Sequence, residues 1–274
     1  MATVVPQTTG TGSSTGTTLS ITKPTSLAVG DGMIAFVANG DNATITSPAG
    51  WTQFSQDTSS VLKAALFWKL ATSGDVAAST FDFTLSAGGH SQGAITRLGK
   101  NDATSFIDQF SKATGSSTSV SITGITPTKA MGTYLLFVAS LQDVQSNNTV
   151  GSYAVANNNP SWTESYDQGT GFGTTFLGIA MGYGATSALS ASGSATATIQ
   201  RTANYVGYII NVVPSTLPTA SITSTAFPRA GIRIVVAGPA LLAATAIAST
   251  PSIIAPTLSN AAKSASSWTN TSKS

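Results

Sequence analysis

The chain contains no cysteine, a single histidine and a single glutamate. The absence of cysteine excludes disulfide frameworks, cysteine-ligated metals and thiol catalysis. Charged residues make up only 8% of the 274 residues, against roughly 25% in ordinary soluble domains. The formal net charge is +2 and no Lys/Arg cluster occurs, so the sequence predicts no nucleic-acid partner.

Threonine, serine, alanine and glycine take the place of the missing charges, and this mixture favours strands and turns over helices. Short apolar runs bounded by turn residues occur along the chain, among them MIAFVA (33–38) and YLLFVAS (134–140). The segment FDFTLS (81–86) alternates strictly between apolar and polar residues, as a half-buried strand does. The sequence therefore predicts an all-β protein.

Two similar turns, SPAGWTQF (47–54) and NNPSWTES (158–165), indicate an internal repeat. At the offset that aligns their tryptophans, apolar positions fall opposite each other: Leu66, Trp68 and Leu70 with Leu177, Ile179 and Met181. We predict two copies of a four-strand unit, at about 30–100 and 131–213, each starting a strand after its Trp-Thr pair. The alternative is that short strands in a low-complexity chain resemble one another by chance.

Packing the apolar faces of two such units together predicts a β-sandwich of jelly-roll type over residues 19–213. Residues 1–18 lack the basic and apolar regions of a secretory signal and are predicted to be a flexible or extended arm.

Residues 214–274 differ in composition, being rich in proline and containing the apolar stretch IRIVVAGPALLAATAIA (232–248). Its length is at the short limit for a membrane helix, and Arg233 and the Gly238-Pro239 pair argue against membrane insertion. A strand at IRIVV followed by a turn is the alternative. We predict an extended assembly segment that other chains cover, with these contact residues: Ile232, Ile234, Val236, Leu241, Leu242 and Trp268.

Candidate catalytic groups are few. Asp102 with Asp108, and Glu164 with Asp167, are the closest carboxylate pairs, but acids in turns more often bond the backbone. His90 lies in a Gly-rich turn without the G-x-S-x-G motif of a serine hydrolase. The sequence therefore predicts no enzyme, no cofactor and no metal site, although calcium held by loop oxygens stays open.

Four aromatic residues in predicted loops form a candidate surface for stacking carbohydrate: Tyr153, Trp162, Tyr166 and Phe172. Core packing explains the same residues equally well. A host-surface glycan is therefore one candidate ligand.

The first unit carries a series of short motifs in a fixed order: Val29-Gly30-Asp31, Pro48 to Trp51, Trp68 to Ala71, then Gly93, Arg97, Gly99, Ile107 and Asp108. This series resembles a β-sandwich domain of virion structural proteins from tailed bacteriophages. The last eight residues, SWTNTSKS, are similar to short peptides that end such proteins. The resemblance covers about residues 27–110 and the last eight residues. The second unit lacks a counterpart of the Val29-Gly30-Asp31 motif.

The resemblance implies a non-catalytic β-sandwich on the surface of a virion, in the tail, baseplate or fibre, or on the head. It further implies other virion proteins as partners and a homo-oligomer, trimers being common in such appendages. A capsid decoration protein and a carbohydrate-binding adhesion module are the alternatives.

Overall fold

The chain divides into two compact units, residues 1–215 and 216–274, and the first is called the body below. The computed structural model describes residues 4–99, 101–102, 104, 106–129, 131–143, 149–186 and 189–215. In the second unit it describes three short strands, which form an antiparallel sheet in the order β15-β16-β17: β15 (Thr223–Ala226), β16 (Ile232–Val235) and β17 (Ser267–Trp268).

The first repeat of the body is built from eight antiparallel strands and one short helix. Their bounds are β1 (Val5–Ser14), β2 (Thr18–Thr22), β3 (Gly32–Asn39), β4 (Ile45–Thr46), β5 (Thr52–Ser59), β6 (Leu62–Leu70), α1 (Ser73–Ala77), β7 (Thr80–Leu85) and β8 (Ser91–Gly99). They form a five-stranded sheet, β1-β8-β3-β6-β5, and a three-stranded sheet, β2-β7-β4. The order is jelly-roll-like, with β5 paired to β6 in the larger sheet and not to β4 in the smaller one.

The second repeat has the same strand order, but two of its strands are continuous where the first repeat has two separate strands each. Its strands are β9 (Ile107–Ile122), β10 (Thr133–Gln142), β11 (Val150–Val155), β12 (Thr163–Phe172), β13 (Thr175–Ala185) and β14 (Ala195–Val212). The series β14-β10-β13-β12 reproduces β8-β3-β6-β5. The first part of β9 pairs with the end of β14 as β1 pairs with β8, and its last part pairs with the start of β14 as β2 pairs with β7. Strand β11 takes the place of β4.

Three apolar cores hold the body together. Each repeat encloses one core between its own two layers, around Phe67 and Phe83 in the first and Tyr134 and Ile209 in the second. The third core lies between the two large sheets, where Phe36 of β3 meets Phe137 of β10 with ring centroids 5.4 Å apart. The predicted all-β sandwich, formed by packing the apolar faces of two repeats together, is confirmed.

Each repeat is larger than the four strands expected from the sequence. Residues 5–14, assigned to a flexible or extended arm, form the edge strand β1, paired with β8. The predicted alternation in β7 is confirmed, with Phe81, Phe83 and Leu85 buried. Both Trp-Thr pairs precede or begin a strand as predicted, since β5 starts at Thr52 and β12 at Thr163.

The predicted alignment of β6 with β13 is wrong by four residues. Leu66 and Met181 each pair with the residue that follows a β-bulge in the neighbouring strand, so Met181 and not Leu177 corresponds to Leu66. The bulges lie between Gln53 and Ser55 in β5 and between Glu164 and Tyr166 in β12.

The predicted assembly segment lies largely outside the described residues. Ile232 and Ile234 belong to β16 and Trp268 to β17, so the predicted strand at IRIVV is confirmed, but their side chains are not described. Val236, Leu241 and Leu242 lie outside the described residues altogether. Among the residues that are described, no helix is long and apolar enough to cross a membrane.

Candidate functional site

The four aromatic residues predicted to bind carbohydrate do not form one surface. Tyr153 and Tyr166 are only 8% and 7% exposed and belong to different cores, so burial removes both from a contact surface. Phe172 is half-buried and stacks on His90 of the first repeat, with ring centroids 3.9 Å apart. Of the four, Trp162 alone is a partly exposed aromatic close in sequence to the predicted acid pair.

We call the group of Tyr153, Trp162, Glu164 and Asp167 the Trp162 corner. The indole of Trp162 stacks on the ring of Tyr153 at 6.0 Å with an interplanar angle of 26°. Its Nε1 donates a hydrogen bond of 2.7 Å to Oδ1 of Asn159, which also accepts 3.0 Å from the backbone N–H of Val155. The loop before β12 thus fixes the orientation of the indole.

The bulge in β12 brings the two carboxylates of the corner to one face. Glu164 pairs with Gly182 and Asp167 pairs with Ala180, while Tyr166 pairs with Met181 on the opposite face. The ring of Tyr153 lies across Gly182, where an added Cβ would approach its Cγ to 2.5 Å. Tyr153 therefore packs beside both acids because position 182 has no side chain.

Electrostatics at the corner are unfavourable. Burial, and then the neighbouring charge of Asp167, raise the pKa of Glu164 above 4.5. Burial raises the pKa of Asp167 above 3.8, against the hydrogen bond from the N–H of Val150. Burial and both acids raise the pKa of Tyr153, whose hydroxyl has no hydrogen-bond partner among the described residues. Two like charges therefore lie on one face of the sheet, that of Asp167 half-buried and that of Glu164 exposed.

The first repeat has neutral amides where the second has these acids. Aligned on the bulge, Gln53 corresponds to Glu164 and Gln56 to Asp167. Gln56 Oε1 accepts 2.8 Å from the N–H of Ile45 in β4, and Asp167 Oδ2 accepts 2.9 Å from the N–H of Val150 in β11. An amide meets this structural need equally well, so the fold does not require the negative charges.

Replacing both acids by their amides, Glu164→Gln with Asp167→Asn, is expected to stabilise the protein at pH 7. We expect the melting temperature to rise by about 2–4 °C, mostly through Asp167, because solvent screens the more exposed Glu164. The folded-state pKa values are raised. The two acids therefore contribute their full stability when the pH is below their pKa values in the unfolded chain. That contribution is lost as the pH rises through their pKa values in the folded chain.

The gain should accordingly vanish below about pH 4, where both acids are protonated in the unfolded chain as well. Thermal unfolding of the variant and the natural chain between pH 3.5 and pH 8 measures this. A matched control is Asp82→Asn, which removes one exposed carboxylate of β7. A variant less stable than the natural chain at pH 7 would contradict the electrostatic account.

The other candidate catalytic residues perform structural tasks. Asp108 accepts 2.7 Å from the N–H of Thr128 and 3.1 Å from Nδ2 of Asn211. Burial alone would raise its pKa, but the hydrogen bonds, led by those from Thr128, hold that pKa below 3.8. Asp102 accepts from the N–H and hydroxyl of Thr104 in a tight turn. Over the described residues, no three His, Cys, Asp or Glu side chains group as metal ligands do.

His90 serves to join the two repeats. Its backbone N–H donates 2.7 Å to Asp41 Oδ2, and its Nδ1 lies 3.3 Å from the same oxygen. Its ring stacks on Phe172, as described above.

A second feature of the body is an apolar cleft of about 230 Å³ at one end of the interface between the large sheets. It is lined by Phe54, Trp68, Phe106 and Ile107. Trp68 and Phe106 meet edge to face at 5.3 Å. The sequence did not single out this cleft, because its residues come from three separate segments.

The motif residues that resemble phage proteins hold the first repeat together. Arg97 Nε donates 2.6 Å to Asp31 Oδ2, joining β8 to the turn before β3, and Gly30 has a φ of 88°. Gly50 has a φ of 83° in the turn that leads to the buried Trp51. No family model, no curated protein and no solved structure matches this chain significantly. The resemblance therefore stays a prediction.

Proposed function

We propose that this chain is a non-enzymatic structural protein of a bacteriophage virion, belonging to the tail, baseplate or fibre. The double jelly roll is displayed outward on the particle surface, and residues 214–274 attach it to copies of itself and to other virion proteins. The resemblance of the first repeat and the C-terminal peptide motivates the virion assignment.

The observation that carries the assembly role is the division of the chain after Ser215. The described residues of the three cores all lie between Val4 and Val212. The body thus has its own apolar interior, while the second unit contains the most apolar stretch of the sequence, residues 232–248. A segment of 59 residues is too short to bury that many apolar residues well in a core of its own, which favours their burial against other chains.

Truncation after Ser215 is expected to separate folding from assembly. The truncated chain should keep the melting temperature of the full chain to within about 2 °C, because its cores are intact. The full chain should sediment as an oligomer and the truncated chain as a monomer, which analytical ultracentrifugation measures. A monomeric full chain, or a truncated chain that still assembles, would contradict the proposal.

A capsid decoration or head-fibre protein is the closest alternative and uses the same fold and tail. Antibodies raised against the body and applied to intact particles distinguish the two. Labelling confined to the tail supports the proposal, and labelling of the head supports the alternative.

A carbohydrate-binding adhesion role is a second candidate, and the Trp162 corner favours it. A partly exposed indole gives a flat apolar platform, and neighbouring carboxylates accept hydrogen bonds from hydroxyl groups. Such a role is compatible with a body displayed outward on a particle.

A further inference from the structure

The Trp162 corner carries two negative charges that folding does not need. In the equivalent corner of the first repeat the same positions are the amides Gln53 and Gln56. Neither Glu164 nor Asp167 forms an ion pair with a Lys or Arg of the described chain. Asp167 is half-buried and Glu164 is exposed beside it, and like charges placed together where neutral groups suffice are typical of functional sites.

The tryptophan of the corner also differs between the two repeats. Trp51 is 8% exposed and packs edge-on against Phe81 and Phe83 in the core of the first repeat. Trp162 is partly exposed and is held by Asn159 and by stacking on Tyr153. The second repeat therefore exposes an oriented indole beside its acids, where the first repeat buries one.

A buried hydroxyl provides a further indication of a ligand. Tyr153 is 92% buried and its ring lies across Gly182, the residue that pairs with Glu164, yet its hydroxyl has no hydrogen-bond partner among the described residues. An unused buried donor is costly in a folded protein. A cation above the acids would offset the negative charge that the site concentrates.

We propose that the Trp162 corner binds a sugar that carries a protonated amine. The ring of the sugar stacks on the indole of Trp162, and its ammonium group and neighbouring hydroxyls donate hydrogen bonds to Glu164 and Asp167. This proposal deepens the carbohydrate-binding candidate by naming the charge of the ligand. It does not depend on where the chain lies in a particle.

Other ligand classes fit the corner less well. A calcium ion takes 6–8 oxygen ligands, and the corner supplies two carboxylates and no third acid. A neutral sugar would be bound by amides such as those of the first repeat, without the electrostatic penalty. A lysine side chain satisfies the acids, but its narrow chain does not need a flat indole.

The test titrates the full chain with D-glucosamine and with N-acetyl-D-glucosamine, which differ in the charged amine. Indole fluorescence and calorimetry at pH 6.5 report binding, and calcium chloride and Nα-acetyl-lysine amide are titrated in parallel. We expect glucosamine to bind with a Kd of roughly 1 mM and the N-acetyl sugar at least about tenfold more weakly.

Variants locate the site. Glu164→Gln and Asp167→Asn should each weaken glucosamine binding by about fivefold or more, because each removes a charged acceptor. Trp162→Phe should retain part of the affinity and Trp162→Ala should lose it. The control Asp82→Asn, which removes one exposed charge elsewhere on the body, should bind as the natural chain does.

Several outcomes would overturn the proposal. Equal affinity for the two sugars would mean that the charge plays no part, and tighter binding of the lysine derivative would point to a protein partner. Stoichiometric calcium binding at the corner would mean a metal site, and no saturation below about 50 mM glucosamine would mean no specific site. Glucosamine binding by a monomeric full chain would contradict only the assembly role proposed above.

Discussion

Phe137→Ala is expected to lower the free energy of unfolding by about 3–5 kcal/mol. Phe137 is fully buried in the core between the two large sheets and packs on Phe36 of the other repeat at 5.4 Å. Because both repeats supply this core, we expect a single unfolding transition that moves as a whole to lower denaturant concentration. Chemical denaturation followed by fluorescence and by circular dichroism measures this.

The control is Phe137→Leu, which keeps most of the volume and should cost less than about 2 kcal/mol. Two separate transitions, of which only one moves in Phe137→Ala, would show that the repeats fold independently. That result would contradict the shared core as the main link between them.

Asp57→Ala is the second large prediction, and we expect it to lower the free energy of unfolding by about 1–2 kcal/mol. Asp57 of β5 forms an ion pair with Lys112 of β9, and its Oδ2 lies 3.0 Å from the hydroxyl of Tyr208 in β14. Ser55 also donates to it at 2.6 Å. Removing the carboxylate takes this acceptor from Lys112 and Ser55, while the Tyr208 hydroxyl keeps the carbonyl of Ala64 at 2.9 Å.

The loss should depend on pH in a defined direction. Burial alone would raise the pKa of Asp57, but hydrogen bonds from Lys112, Ser55 and Tyr208 outweigh it and hold the pKa below 3.8. A depressed pKa gives stability that is present above the unfolded value and is lost as pH falls through the folded one. The difference between natural chain and variant should therefore persist from pH 7 to pH 5 and shrink below about pH 4.

Tyr208→Phe removes a single hydrogen-bond donor, and we expect it to lower the free energy of unfolding by about 1 kcal/mol. Combining Tyr208→Phe with Asp57→Ala in a double-mutant cycle measures their coupling. Additive losses would mean that the two side chains contribute independently, contrary to the geometry.

The all-β class and the repeat could be predicted from the sequence because strand alternation is a local property. Phe81, Phe83 and Leu85 indicate a buried face without knowledge of any partner strand. The two Trp-Thr pairs fixed the equivalence of β5 and β12, and the structure places a bulge at the same position in both.

The alignment failed beyond those strands because the second hairpin is longer. Strand β5 has 8 residues and β12 has 10, and each is followed by a two-residue turn. The insertion shifts β13 by four residues. An even shift leaves the inward face unchanged, so Leu177 and Met181 satisfy the apolar pattern equally well. Periodicity alone could not choose between them.

Two short strands of the second layers, β4 and β11, were missed for a different reason. Strand β4 has two residues, Ile45 and Thr46, and its equivalent β11 has 6. Such short strands exist because tertiary pairing stabilises them, and local sequence carries little trace of that pairing.

At the Trp162 corner the residue types were predictable and their grouping was not. The sequence identified Trp162 among the aromatics and Glu164 with Asp167 as an acid pair, but only the bulge brings the acids to one face beside Tyr153. One signal was available: alignment on the two tryptophans already places acids opposite Gln53 and Gln56.

Strand β14 has hydrogen-bonded neighbours along both sides, with β9 on one and first β11, then β10, on the other. It ends at Val212, and three residues separate it from Thr216, where the second unit begins. Tension applied through residues 214–274 therefore enters the body along an interior strand, and many backbone bonds share the load. An anchor on an edge strand would peel away one bond at a time.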